Sequence, residues 1–217
     1  MKRTLFILVL ATFGASFPAM AGSVDIQLKG VGGANQGGVY VAPYYLSING
    51  GPSIPVICDD FSHEVTIGEG WKGHISTFAD LSTTRFGSAD TQQYDEAAWL
   101  FTKFEANPGQ AGDINFALWA LFTPSATGSS GYTAGAATWY SDALNWYAAG
   151  GENSFNFSGF EIITPDNLTG SDSPQEFISY SPTPEPSTLL LLGTGLLGLG
   201  SFGRKRFSSL SKTSVRS

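Results

Sequence analysis

The sequence contains one cysteine, Cys58, and very few basic residues in its central part. A small domain held together by disulfides would carry an even set of cysteines, so this chain depends on a hydrophobic core instead. Residues 22–183 include four basic and 17 acidic residues, which gives a net charge near −13. Because such a charge repels phosphate backbones, the composition argues against nucleic-acid binding.

The sequence also lacks the motifs of common catalytic sites. It has no G-x-S-x-G motif, and the neighbouring Asp95 and Glu96 diverge by about 100° on a predicted helix. Residues 193–198 match G-x-G-x-x-G, but no acidic residue follows them, as the dinucleotide fingerprint requires. We therefore expect a protein without a cofactor and without catalysis. A secreted carbohydrate-active or metal-dependent enzyme, with a site assembled from distant acidic residues, stays open as an alternative.

The N-terminal end has the three parts of a signal peptide. Met1-Lys2-Arg3 is a positive start, residues 5–13 are an apolar run, and Ala19-Met20-Ala21 has the small-x-small pattern of a cleavage site. The apolar run is too short to cross a bilayer core of about 30 Å. We predict that signal peptidase cleaves after Ala21 and removes residues 1–21.

The C-terminal end combines a proline-rich turn, an apolar segment and a basic cluster. These parts are Pro184-Glu185-Pro186, residues 187–203 and Arg204-Lys205-Arg206. About 16 apolar residues are just enough to span a membrane, and the basic cluster marks the cytoplasmic side. The pattern predicts a transmembrane helix over residues 187–203 and a cytoplasmic tail over residues 207–217.

This C-terminal arrangement resembles the PEP-CTERM sorting signal of bacterial exported proteins. The resemblance implies that an exosortase, a membrane cysteine protease, recognises and processes residues 184–206. It also implies an intermediate anchored in the inner membrane, followed by a mature protein at the cell surface or in the extracellular matrix. An extracellular polysaccharide is a candidate partner there.

The sequence between the two ends, residues 22–183, predicts one extracytoplasmic domain. The spacing of its apolar residues changes twice along the chain. Alternation of apolar and polar residues predicts strands first, helical periodicity predicts helices from about 88 to 150, and alternation then returns. This order favours a mainly β, α+β fold, an antiparallel sandwich or barrel with a helical insertion. Asn49-Gly50 predicts a hairpin turn between two of the strands. The predicted strands cover 24–28, 39–48, 54–61, 64–67, 71–78, 155–163 and 176–180, and the predicted helices cover 90–107, 113–124 and 138–149.

Three potential metal ligands, Asp59, Asp60 and His63, lie within five residues of one another. Calcium binds carboxylates, and zinc binds histidine together with an acidic partner. However, the run follows a strand, where alternation sends neighbouring side chains to opposite faces. We therefore treat these residues as weak metal candidates and favour either a solvated strand end or a hydrogen-bonding corner.

Three segments occur in the order found in the thioester domains of bacterial surface adhesins. The domain at residues 22–183 therefore resembles those thioester domains. The segments are Cys58-Asp59-Asp60-Phe61, residues 94–100 and residues 113–119. In those adhesins a strand cysteine and a helix glutamine form an internal thioester, which then acylates an amine of the partner. Here Asn115, one methylene shorter, stands at the glutamine position. The resemblance implies a covalent adhesin using Cys58 and Asn115, whereas the other interpretation is that Cys58 is a small buried hydrophobic residue.

Overall fold

The computed structural model describes residues 22–32, 35–170 and 172–181. Segments in which apolar and polar residues alternate form strands, and segments with apolar residues at helical spacing form helices. The strands are β1 (Val24–Val31), β2 (Asn35–Gln36), β3 (Val39–Tyr40), β4 (Tyr44–Ile48), β5 (Ser53–Cys58), β6 (Gly70–Thr77), β7 (Phe160–Pro165) and β8 (Phe177–Tyr180). The α-helices are α1 (Thr91–Ala106), α2 (Ala111–Phe122) and α3 (Ala134–Ala148).

Several predictions concern parts of the chain that lie outside the described residues. They are the signal peptide at 1–21, the sorting signal at 184–206 with its transmembrane helix, and the tail at 207–217. Within the described residues, no helix has both the length and the apolar character needed to cross a membrane.

Six of the strands close into an antiparallel barrel in the order β1-β4-β5-β8-β7-β6, and β2 and β3 form a separate short hairpin. The three helices lie together in the chain between β6 and β7. The prediction of an α+β fold, with antiparallel strands and a helical region near residues 88–150, is confirmed. The expectation that strands predominate is wrong, because the three helices together are about as long as the eight strands of the described residues. Of the two sheet arrangements that the sequence left open, the barrel is the observed one.

Alternation along β5 divides the apolar core into two parts. Val56 and Cys58 pack inside the barrel with residues of β1 and β4, while Ile57 between them packs outside against the helices. All three are fully buried, so this strand has no solvent-facing side at its end. Two residues of α2, Phe116 and Trp119, belong to the barrel core, which places α2 across one mouth of the barrel.

The turn between β4 and β5 has the predicted conformation. Asn49 and Gly50 have positive φ angles of 50° and 71°. These values suit a tight hairpin turn whose twist matches that of the strands. Ser47 and Ser53 pair across it in the antiparallel ladder. The Asn-Gly dipeptide therefore sets the register of this hairpin.

Three of the predicted strands are wrong in extent, and one of them, predicted over 54–61, ends already at Cys58. The strand predicted over 39–48 is broken into β3 and β4, because Pro43 has no backbone N–H with which to continue a ladder. The strand predicted over 155–163 begins only at Phe160, because Phe155 and Phe157 pack against the helical layer instead.

One predicted strand and one helix start are also corrected. Residues 64–67 form no strand, and the backbone N–H of Thr66 donates to the side chain of Glu69 at 2.7 Å in a turn. The third helix begins at Ala134 rather than at 138. The reason is that the Thr133 hydroxyl caps it, accepting hydrogen bonds from the backbone N–H groups of Gly135 and Ala136.

Candidate functional site

Cys58 and Asn115 lie side by side at the barrel mouth that α2 covers. Cys58 is the last residue of β5, and Asn115 lies on α2. The Asn115 Nδ2 donates to the backbone oxygen of Cys58 at 2.9 Å, and its Oδ1 accepts from the backbone N–H of Ala42 at 2.8 Å. Both polar ends of the side-chain amide are therefore used to fix α2 to the rim of the barrel.

The Cys58 thiol lies in an environment that disfavours the thiolate. The side chain is fully buried, and its Sγ donates to the backbone oxygen of Asp60 at 3.2 Å. Burial raises the pKa of the thiol well above its ordinary value, and the neighbouring carboxyl groups of Asp59 and Asp60 raise it further. A thiol in this state is a poor nucleophile.

Asp60 forms the centre of a buried ion cluster next to Cys58. Its Oδ2 lies 2.9 Å from Nε of Arg85 and 2.8 Å from Nδ1 of His63. The Arg85 Nη2 also donates to the Ser173 hydroxyl at 2.7 Å and to the Pro174 backbone oxygen at 2.6 Å. The charge on Asp60 is therefore matched inside the fold, and the cluster joins the end of β5 to the segment before β8.

A second buried carboxylate, Glu176, ties the helical layer to the barrel. It accepts hydrogen bonds from the Tyr94 hydroxyl at 2.6 Å, the Thr164 hydroxyl at 2.6 Å and the backbone N–H of Arg85 at 2.7 Å. Burial raises the pKa of Glu176, while these donors act against that effect. The Glu176 side chain thus connects α1, β7 and the loop before α1.

Asp59 is the least compensated group of the region. It is fully buried, and its carboxyl group shares a hydrogen bond with that of Glu176 when one of the two is protonated. Burial raises its pKa well above the ordinary value, and the charges of Glu176 and Asp60 add to the rise. The neutral acid is therefore the favoured form of Asp59.

The three weak metal candidates do not converge on one point. Asp60 and His63 contact each other, whereas the environment of Asp59 is set by Glu176. Among the described residues, no group of three or more histidine, cysteine or acidic side chains is arranged to hold a metal ion. Asp60 and His63 instead form a hydrogen-bonding corner, one of the two predicted alternatives. The other, a solvated strand end, is wrong, because Asp59 and Asp60 are buried.

A cleft of about 560 Å³ opens beside this corner. The β2–β3 hairpin supplies one wall, and residues 61–67 supply the other. Tyr44 and Trp119, exposed by 3% and 2%, form its buried floor. Gln175 and His63 also line it, so the cleft borders the Asp60 cluster.

Sequence reasoning did not identify Arg85, Glu176 or Tyr94 as members of the buried cluster, nor Tyr40 and Gln175 as lining the cleft. Arg85 carried a usable signal, because it is one of only four basic residues in the acidic domain. The other four residues join the region through contacts between segments far apart in the chain.

Comparison with known proteins gives a match at the C-terminal end of the chain. Residues 182–206 match the family model described as the PEP-CTERM protein-sorting motif. No curated protein and no solved structure matches the chain. The matched residues include the proline-rich turn, the apolar segment and the basic cluster, and they start directly after the last described residue, Ser181. This protein therefore carries a PEP-CTERM protein-sorting motif at residues 182–206, as exported proteins sorted by an exosortase do.

Proposed function

We propose that this is a non-catalytic protein of the cell surface or extracellular matrix, and that an extracellular polysaccharide is its partner there. In this account signal peptidase removes residues 1–21, and the apolar segment at 187–203 then holds the chain in the inner membrane. An exosortase cleaves near Pro184-Glu185-Pro186 and releases residues 22–183 to the outside. The observation that carries the proposal is the sorting motif at residues 182–206.

The buried carboxylates support a structural rather than a catalytic role for the region around Cys58. Asp60 is paired with Arg85, and Glu176 is held by three hydrogen-bond donors. A general acid or base needs access to a substrate, and both carboxylates are at most 1% exposed. Their contacts instead link the barrel to the helices.

A second candidate function, a covalent adhesin, is favoured by the contact between Cys58 and Asn115. In the thioester step, the Cys58 sulfur would attack the side-chain carbonyl carbon of Asn115. The Asn115 C–N bond would break, and the thiol proton would leave with the amide nitrogen as ammonia. The product would be lighter by one ammonia molecule, which intact-mass measurement of the protein detects. A mass equal to that of the unmodified chain, with Cys58 present as a free thiol, rules this candidate out.

Replacement of the basic cluster tests the proposed sorting. Changing Arg204, Lys205 and Arg206 to glutamine removes the charges that flank the apolar segment. We expect the protein to lose its place at the cell surface, as measured by fractionation of the producing cell. The matched control changes Lys212 and Arg216, which follow the motif, and we expect it to be sorted normally. Equal surface amounts of both variants would contradict the proposal.

A further inference from the structure

We propose that the cleft between the β2–β3 hairpin and residues 61–67 binds one neutral sugar unit of a glycan. The inference rests on the proposed role at the surface or in the matrix for its biological setting. The binding itself depends on the residues that line the cleft.

The size and the aromatic lining of the cleft suit a sugar ring. Its volume of about 560 Å³ lies within the usual range for small-molecule sites. Tyr40 on one wall is 47% exposed, and Phe61 stands on the other. An aromatic face is an apolar surface on which the C–H face of a sugar ring can pack. A sugar ring in the cleft would thus pack on the exposed ring of Tyr40.

Polar groups with unused hydrogen-bonding capacity reach the same cleft. Gln175 is only 7% exposed, and its Nε2 donates to the backbone oxygen of Asp60 at 2.9 Å. Its Oε1 accepts no hydrogen bond from the described residues, although it belongs to a nearly buried side chain that lines the cleft. His63 uses Nδ1 on Asp60, which leaves Nε2 for a ligand. Hydroxyl groups can serve both as donors and as acceptors for such atoms.

The charge of the lining selects a neutral ligand. The described residues that line the cleft include no lysine or arginine, and the acidic Glu64 is among them. A phosphate or a uronic acid would therefore be repelled. A cation would find Glu64, but the second nearby carboxylate, Asp60, is already paired with Arg85 at 2.9 Å. A polar molecule without charge is the ligand that this lining fits.

Both walls of the cleft are attached to α2 or its surroundings. On the hairpin side, Gln36 Nε2 donates to Oδ1 of Asp113 at 2.9 Å and to the backbone oxygen of Gly131 at 2.7 Å. On the other side, the ring of Phe61 lies 5.2 Å from that of Trp119. A site whose walls are fixed before binding loses little conformational entropy when the ligand arrives.

The cleft and the sorting motif are attached to opposite ends of β8. Gln175 precedes the strand, and Phe177 at its start pairs with Cys58 at the covered barrel mouth. Tyr180 at its far end pairs with Phe160, and the motif begins one residue after Ser181. Since β8 has four extended residues, its two ends lie about 13 Å apart. The chain therefore enters the sorting segment from the end that lies away from the cleft.

Affinity electrophoresis tests the binding with the full-length chain, purified in a detergent that has no sugar headgroup. The gels contain neutral polymers (α- and β-glucans, mannans, galactans and N-acetylglucosamine oligomers) or the acidic polymers alginate and hyaluronan. We expect a neutral polymer to retard the protein. We also expect the Tyr40→Ala variant to bind that polymer roughly tenfold more weakly, since truncation of an exposed aromatic contact typically has such an effect.

The matched control is Tyr45→Ala, because Tyr45 is 36% exposed on β4 and does not line the cleft. It should bind as the unmodified chain does, and thermal unfolding shows whether each variant is folded. Binding to none of the neutral polymers overturns the proposal, as does binding only to the acidic polymers or equal weakening in both variants. These outcomes leave the proposed sorting untouched, because sorting is measured in the producing cell and not by binding.

Discussion

The side-chain amide of Asn115 bridges two backbone groups of the barrel rim, donating to Cys58 at 2.9 Å and accepting from Ala42 at 2.8 Å. Asn115 is fully buried, so water cannot replace either contact. The bridge holds α2 over the barrel mouth, next to the buried thiol and to the floor of the cleft.

Replacing Asn115 by alanine should destabilise the protein markedly. The change leaves the Cys58 carbonyl and the Ala42 N–H buried without partners, and each such group costs about 1–3 kcal/mol. We expect the free energy of unfolding to fall by roughly 2–5 kcal/mol in urea denaturation. The control Asn145→Ala removes an asparagine from the exposed side of α3. Equal stability of the two variants would contradict the bridging role.

The Cys58 thiol should be protected in the folded protein and should react after unfolding. Burial and the neighbouring carboxylates raise the pKa of the thiol and keep it protonated. We expect a thiol reagent to modify no cysteine in buffer and one cysteine in concentrated urea. The intact mass should equal that of the unmodified chain. An unreactive cysteine in urea, together with a mass lower by one ammonia molecule, would show a thioester instead.

Loss of Arg85 should be more damaging than loss of a surface cation. Arg85→Met leaves Asp60 buried without its main counter-charge and removes the hydrogen bonds to Ser173 and Pro174. Breaking one partner of a buried pair costs about 3–5 kcal/mol. The control is Lys72→Met, since Lys72 pairs with Asp25 at an exposed site where a pair contributes about 1 kcal/mol or less. Urea denaturation of both variants measures the difference, and a small loss for Arg85→Met would contradict the cluster.

Asp59 should make the protein less stable as the pH rises. Its pKa in the folded state is raised above the unfolded value, so the folded state holds the proton more tightly. The resulting stabilisation is complete below the unfolded pKa and is lost as the pH rises toward the folded pKa. We expect Asp59→Asn to reduce this loss, so that its free energy of unfolding falls less between pH 5 and pH 8 than that of the unmodified protein.

Urea denaturation at pH 5 and pH 8 measures the effect of this substitution. The control is Asp142→Asn, which changes an exposed carboxylate on α3. It should keep the pH dependence of the unmodified protein. The same dependence in Asp59→Asn would show that Asp59 is charged in the folded state at both values.

The parts of the fold that the sequence predicts well are those set by neighbouring residues. Alternation identifies β1, Asn49-Gly50 identifies the hairpin, and helical spacing identifies α1 and α2. The resemblance to thioester domains, carried by three short segments, also brings Cys58 and Asn115 forward as a pair, and they lie in contact. Each of these features depends on local backbone preference or on a short pattern.

The rest depends on contacts between residues far apart in the chain. Tyr94 and Glu176 are 82 residues apart, and the backbone of Arg85 meets Glu176 across 91 residues. The cleft exists because Gln36 fastens the β2–β3 hairpin to Gly131, 95 residues further on. Neither the spacing of apolar residues nor a short motif predicts contacts between residues so far apart in the chain. The prediction of a strand over 64–67 fails for the same reason, since none of the strands in the described residues pairs with this segment.

Terminal sequencing of the mature protein from the surface of the producing cell tests the central claim most directly. The account predicts an N-terminus at Gly22 and a C-terminus near Pro184-Glu185-Pro186. The apolar segment, the basic cluster and the tail at 207–217 should be missing, since exosortase processing separates them from the domain. A surface-located protein that still carries an intact tail at 207–217 would contradict the account.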